Sequence, residues 1–326
     1  KIEAKKLDLH PEPFDLERAI QEVIMLLQPL AREKGLDMVL DYDLFMPSML
    51  VGDPGRIRQV LTNLMGNAVK FTTAGHILVR VTGVPERETG KVLVKIAIED
   101  TGIGIAPDMI GHIFGEFNQV ENERNRKFDG TGLGLAICRR LIQMMEGDIW
   151  VTSQEGVGSC FGFELPLLAH GDAVELSAPL PASLRHVLIV EADTIKRSIL
   201  IKQLQQLGLK VTCTSTVAEA AATADIGIDL IMTDHIFADT DAFDMVRRLR
   251  DAGLNVPIIV YTENTQLAEN DPARALVQHV LKKPIPRAEL LDRLINLNVM
   301  QDQPASPRRM RILAAEDNET SQLVFT

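Results

Sequence analysis

The chain has 326 residues, 46% hydrophobic and 24% charged, a balance that excludes a disordered or fibrous protein and leaves room for two domains and part of a third. Its 34 Lys and Arg against 45 Asp and Glu give a net charge of −11. That disfavours a broad nucleic-acid surface, which relies on cations to neutralise phosphates. No apolar run approaches the roughly 18 residues of a membrane span. Neither the seven histidines nor Cys138, Cys160 and Cys213 show metal-ligand spacing, so a zinc enzyme is disfavoured and the cysteines read as small hydrophobes of a reducing, cytoplasmic setting.

Residues 1–14 read as the tail of a helix broken by Pro11 and Pro13. From Phe14 to about Lys34, Leu16, Ile20, Val23, Ile24 and Leu27 recur at helical spacing. Residues 38–42 alternate as a strand. Asp53-Pro54 supplies an N-cap and a first-turn proline for a helix carrying Ile57, Val60, Leu61, Leu64 and Ala68. Residues 77–81 and 92–98 alternate as strands, and a Gly-bearing loop runs over 102–132. A helix covers about 133–145, and a hairpin turns at Glu155-Gly156 and ends near Leu167. Residues 169–184, rich in Ala, Ser and Pro, form a linker. Beyond it, short apolar strands at 186–190, 210–214, 230–233, 258–261 and 279–281 alternate with helices, the pattern of a doubly wound parallel sheet. A second linker follows at 299–309. Residues 187–193 then recur position for position at 312–318, so 310–326 start the same kind of domain again. With Lys at its start and an unfinished repeat at its end, the sequence reads as a piece of a longer protein.

Three clusters in residues 15–168 carry chemistry. Asn63, Asn67 and Lys70, followed by Phe71, line up on one helical face. Carboxamide oxygens are hard, neutral ligands that suit Mg²⁺ carrying phosphates, and a lysine adds charge for a phosphate; a plain polar helix face is the alternative. Asp100-Thr101-Gly102-Ile103-Gly104-Ile105 follows a strong strand. An acid there can accept from an exocyclic amine while glycines let the backbone close around a base, although such a stretch is often only a turn. Gly130-Thr131-Gly132-Leu133-Gly134-Leu135 runs into a helix, where backbone N–H groups and the positive helix end attract phosphates. It lies outside a βαβ unit, which disfavours a dinucleotide fold. The polar run 121–129, with Arg124, Arg126 and Lys127, reads as a lid able to cover a triphosphate, or as a solvated loop.

In this order the clusters resemble the catalytic ATP-binding domain of sensor histidine kinases. Residues 63–72 are similar to the asparagine box and 100–105 to the first glycine box. Ile113-Phe114 with Phe117 and Gln119 is similar to the phenylalanine box, 130–135 to the second glycine box, and Glu155-Gly156-x-Gly158-Ser159 to a late glycine turn. The resemblance implies a Bergerat-type α/β sandwich holding ATP and Mg²⁺ between helices and lid. It implies that Asn67 is the metal ligand, supported by Asn63, that Asp100 reads the adenine amino group, and that Lys70, Arg126 and Lys127 meet phosphates. Phe71, Gly102, Gly104, Ile105, Phe114, Gly130, Thr131, Gly132, Leu133 and Gly134 complete the implied nucleotide site. Asp129 departs from the glycine usual there. The family phosphorylates a histidine on a dimeric helical hairpin ahead of this domain. No histidine here has such a setting, so residues 1–14 resemble only the hairpin's tail and no catalytic residue is expected within the chain.

Residues 185–298 resemble a receiver domain, a flavodoxin-like (βα)5 fold that takes a phosphoryl group from phosphohistidine onto an aspartate. Asp234 matches the acceptor, Thr262 the switch hydroxyl and Lys283 the phosphate-binding lysine, with Glu191 and Asp193 after the first strand. The family's two adjacent acids stand as Glu316-Asp317 in the second repeat but read Glu191-Ala192 here; Ala238, Ala242 and Glu263 also depart from the pattern. A methyl group in place of a metal-binding carboxylate deprives Mg²⁺ of charge that phosphoryl transfer needs, which favours a regulatory pseudo-receiver. Arg247, with Arg248 and Arg250, and Tyr261 could stack on or pair with a guanine, making cyclic di-GMP a candidate ligand, against a solvated basic face or a surface docking on the kinase core.

The sequence is therefore expected to be the core of a cytoplasmic hybrid histidine kinase. The γ-phosphoryl of ATP would pass to a histidine on a hairpin of the same protein, then to the last receiver and a downstream phosphotransfer protein or response regulator, with no nucleic acid or membrane segment involved. A working acceptor at Asp234 and a non-catalytic nucleotide-binding scaffold remain as alternatives. A gyrase-, Hsp90- or MutL-like ATPase is disfavoured by the phenylalanine box and by the lack of a convincing general-base Glu near Thr62-Asn63.

Overall fold

The computed structural model describes residues 8–86, 89–115, 133–171, 179–223, 227–238 and 240–297. The N-terminal domain is a mixed sheet covered on one face by helices. Its strands are β1 (Glu12–Asp15), β2 (Asp37–Tyr42), β3 (Met49–Gly52), β4 (His76–Pro85), β5 (Lys91–Asp100), β6 (Asp148–Gln154) and β7 (Gly158–Ala169). They run in the order β1-β3-β7-β5-β4-β2, with β6 also paired to β7. Among the described residues of this domain only β2 and β4 pair in parallel. The helices are α1 (Leu16–Glu33), α2 (Pro54–Phe71), the short α3 (Pro107–Ile110) and α4 (Gly134–Met144). Alternation in β4 and β5 turns Ile77, Val79, Val94 and Ile96 inward, where they meet Ile20, Leu61 and Ile142 in one core. The Asp53 carboxylate caps α2, accepting from the Arg56 N–H at 3.0 Å, and Pro54 occupies the first turn as expected.

One local expectation fails. Residues 12–15 are not part of a helix; they form β1, an edge strand where prolines are tolerated, antiparallel to β3. The four-residue β3 itself carries no readable period. The linker at 169–184 lies partly, and that at 299–309 wholly, outside the described residues, as do residues 1–7.

The second domain is a five-stranded parallel sheet, β8 (His186–Val190), β9 (Lys210–Thr214), β10 (Leu230–Asp234), β11 (Ile258–Thr262) and β12 (His279–Lys282), in the order β12-β11-β10-β8-β9. Between them lie α5 (Thr194–Gln206), α6 (Val217–Thr223), α7 (Ala242–Asp251) and α8 (Thr265–Glu269), with α9 (Arg287–Ile295) last. One core joins the sheet to α6, α7 and α8; the other joins it to α5 and α9. No helix among the described residues is long and apolar enough to cross a membrane.

Candidate functional site

Helix α2 is the common wall of the nucleotide-binding candidates. Asn67 donates its amide N–H to the Asn63 carboxamide oxygen at 3.3 Å, which fixes both side chains on one face. The second glycine stretch reaches this face at Gly134, where a Cβ would collide with the Asn63 carboxamide. The first glycine stretch reaches the C-terminal end of α2, where the Ile103 N–H donates to the Phe71 carbonyl at 3.3 Å. Lys70 Nζ lies 5.1 Å from the Phe71 ring centre. Lys34, which sequence reasoning missed, closes the end of α2 by donating to the carbonyls of Val69, Lys70 and Thr72 at 2.6, 2.9 and 3.2 Å. No local signal reveals it, because the contact joins the ends of two helices.

Asp100 ends β5 with one carboxylate oxygen accepting from the N–H groups of Gly102 at 2.8 Å and Ser159 at 3.3 Å. Burial raises its carboxyl above the ordinary range, partly offset by those two bonds. Gly104 has φ +68°, and a Cβ there would run into the Gln154 carbonyl, so only glycine lets this loop press against the β6 turn. The Ile105 N–H donates to Ser153 Oγ at 2.8 Å, and Ser153 pairs with Ser159 at 2.9 Å. Phe114 meets Phe161 edge-on at 6.4 Å. Arg126, Lys127, Gly130, Thr131 and Gly132, with Phe117, Gln119 and Asp129, lie outside the described residues; Leu133 immediately precedes α4.

Among the described residues no group of three or more His, Cys, Asp or Glu could hold a metal. The two carboxamides nevertheless suit Mg²⁺, which keeps waters and substrate phosphates and needs few protein ligands.

On the receiver, Asp234 ends β10 and its carboxylate lies 2.7 Å from Lys283 Nζ, which also sits 3.5 Å from Glu191. Burial pushes the Glu191 carboxyl up, and the Lys283 ammonium partly offsets this. Thr262 Oγ is hydrogen-bonded with the buried His235 Nδ1 at 3.1 Å, and His235 packs edge-on against Phe243.

Residues 52–169 match the family of histidine kinase-, DNA gyrase B- and HSP90-like ATPases, and residues 187–295 match the response regulator receiver domain. The sensory/regulatory protein RpfC of Xanthomonas campestris pv. campestris is 32% identical over 345 residues, which cover 94% of this chain and 47% of that protein. The sensor histidine kinase GacS of Pseudomonas protegens is 40% identical over 229 residues, 70% of this chain and 25% of that protein. The crystal structure of full-length ShkA in complex with AMPPNP shares 29% identity at a TM-score of 0.67, covering 98% of this chain and 65% of that one. The chain therefore joins a histidine kinase-like ATPase domain to a receiver domain, the pairing it shares with these relatives. It spans less than half the length of RpfC and GacS.

Two expected placements in the receiver domain are corrected. Asp193 is not an acceptor-site acid: its carboxylate accepts from the Ile195 and Lys196 N–H groups, both at 2.9 Å, and caps α5. Arg247 and Tyr261 do not share a site. Tyr261 is buried in the core formed with α5 and α9. Arg247 sits on α7 across the sheet, paired with Asp244 at 2.6 Å and Asp271 at 3.3 Å. Arg250 is spent on the carbonyls of Leu254, Val256 and Leu276. Glu316 and Asp317 lie outside the described residues.

Proposed function

We propose that the N-terminal domain binds ATP along α2 and delivers its γ-phosphoryl to a histidine on a hairpin of the same protein, from which a terminal receiver and a downstream phosphotransfer protein or response regulator take it in the cytoplasm. The observation that carries this reading is the convergence of both glycine stretches on α2, one against Asn63 and one against Phe71, beside a half-buried Asp100 that holds its two backbone N–H groups through one oxygen and leaves the other for an adenine amine. Asn67, oriented by Asn63, would hold Mg²⁺, which when bound neutralises charge on the phosphates. Lys70 would add a cation to the phosphate side. The ShkA complex with AMPPNP supports the same use of this fold.

The middle receiver is read as regulatory. Its acceptor edge has one buried acid, Glu191, where the second position is Ala192, and its switch hydroxyl is engaged by His235. A working acceptor is the second reading, favoured by the Lys283–Asp234 contact. A guanine messenger bridging Arg247 and Tyr261 loses its geometric support, because the two residues face opposite sides of the sheet. Acetyl-phosphate labelling of Asp234 tests the regulatory reading. Weak labelling that rises in Ala192→Asp supports it; strong labelling of the unaltered protein contradicts it.

A further inference from the structure

The outer face of the ATPase sheet carries a surface shaped for the receiver. Val39 and Leu78 point outward from β2 and β4, yet they are only 8% and 5% exposed, because Ile199 and Ile195 of α5 cover them. Around this apolar contact Lys196 meets Asp37 at 3.3 Å and Lys202 meets the buried Asp41 at 3.1 Å. The strongest contact is Arg287, the first residue of α9. Its N–H and Nε donate to the Glu17 carboxylate at 3.1 and 3.0 Å. Its terminal nitrogen donates to the carbonyls of Asp43, Leu44 and Met46 at 2.5, 2.9 and 2.7 Å. The guanidinium lies 4.1 Å from the Tyr42 ring centre. Arg287 and Glu17 are 4% and 8% exposed, so water screens neither.

The socket is adjacent to the acceptor chemistry. A cleft of about 360 Å³ separates the domains; Leu36 and Met38 line its ATPase side, and Glu191, Tyr261, Lys283 and Pro284 its receiver side. Lys283, which holds the Asp234 carboxylate, stands four positions before Arg287 on one short loop. A loop pinned at Arg287 restricts how far Lys283 can swing toward an incoming phosphoryl group.

The geometry points to Arg287 as a clasp: seated against Glu17, it holds the receiver's acceptor edge onto the ATPase domain and keeps Asp234 from accepting a phosphoryl group. This rests on the regulatory reading of the receiver and adds the contact that would enforce it. Removing one partner of a buried, hydrogen-bonded pair leaves the other uncompensated, so loss of Arg287 shifts the docked state toward an open one. Arg287 reaches across to the ATPase domain, so its loss is expected to leave each domain folded.

The test places a reporter thiol in the cleft by Gln203→Cys, in a background with Cys160→Ser and Cys213→Ser; Gln203 is buried on α5 and lines the cleft, and the remaining Cys138 is buried. Reaction with an aromatic disulfide reagent should be slow in this parent and about tenfold or more faster with Arg287→Ala. Arg287→Lys should fall between, because an ammonium cannot reproduce the fork. Lys202→Glu, which sets two carboxylates together at Asp41, should accelerate the reaction independently. If neither Arg287→Ala nor Lys202→Glu changes the thiol rate, there is no clasp. The inhibitory role is read separately: in an Ala192→Asp background, Arg287→Ala should raise phosphoramidate labelling of Asp234 several-fold. An opened cleft with unchanged labelling overturns that role. Ala192→Asp against the unaltered protein judges the missing acid by itself, so the clasp and the regulatory reading can fail independently.

Discussion

Gly134→Ala separates folding from nucleotide binding. A methyl group at the start of α4 would strike the Asn63 carboxamide nitrogen and lie 2.9 Å from its oxygen. The backbone of α4 need not move, since the Asn63 side chain can turn away. Turning it breaks the 3.3 Å bond that orients Asn67. Two effects on stability oppose each other: alanine gains about 1 kcal/mol of helix propensity over glycine, and one hydrogen bond worth about 0.5–1.5 kcal/mol is lost. The melting temperature should therefore barely change. Affinity has no such offset. Losing the fixed orientation of a metal-ligating carboxamide should cost about 1–3 kcal/mol, roughly 5- to 150-fold in the dissociation constant for Mg-ATP. Calorimetric titration with Mg-ATP, paired with a thermal melt, reads both quantities. Gly66→Ala on the same helix is the control, because a Cβ there meets nothing within 4 Å; it should stabilise the domain and leave affinity intact. An affinity for Gly134→Ala within twofold of the unaltered protein would refute the role assigned to Asn63 and Asn67.

Asn67→Ala should lower ATP affinity in Mg²⁺ to the value measured in excess chelator, with the fold retained by circular dichroism; a residual Mg²⁺ effect of full size would place the ion elsewhere. Asp100→Asn should weaken ATP binding by about 1–3 kcal/mol and lose discrimination against inosine triphosphate, since an amide can donate to a 6-oxo group; competition between the two nucleotides decides it. Glu191→Gln should stabilise the receiver at neutral pH. The folded-state carboxyl is raised, so the folded receiver binds its proton more tightly than the unfolded chain does, and stability falls as pH rises through the raised value. Glutamine removes that slope, and melts recorded from the ordinary carboxylate range up to neutrality should show the variant gaining on the parent as pH increases.

Much of this architecture is legible in the sequence because it is written locally. Asp53-Pro54 and the apolar spacing that follows specify α2, and alternation specifies β4 and β5. The two glycine stretches identify the nucleotide side because glycine is needed where backbone or the Asn63 side chain presses close. What fails is what depends on partners far along the chain. β1 and β3 are each four residues long and exist through pairing, β1 with β3 and β3 also with the distant β7. Strand parity could have separated Tyr261 from Arg247: Ile259 and Tyr261 share one face of β11, while Ile258 and Val260 face the side where α7 packs. Asp193 stands directly before Thr194 and reads as a cap once the helix start is fixed. Arg287 gives no sign of its role, because its partners lie more than 240 positions away.

The most direct test supplies γ-labelled ATP to the full-length protein and locates the phosphoryl group by its stability to acid and base. Acid-labile, base-stable label together with base-labile label that Asp234→Ala leaves unchanged, both abolished by Asn67→Ala, is the predicted result: phosphohistidine formed by the ATPase domain and passed to the terminal receiver, with the middle receiver outside the relay. Label on Asp234 in the unaltered protein, or label that persists in Asn67→Ala, would contradict it.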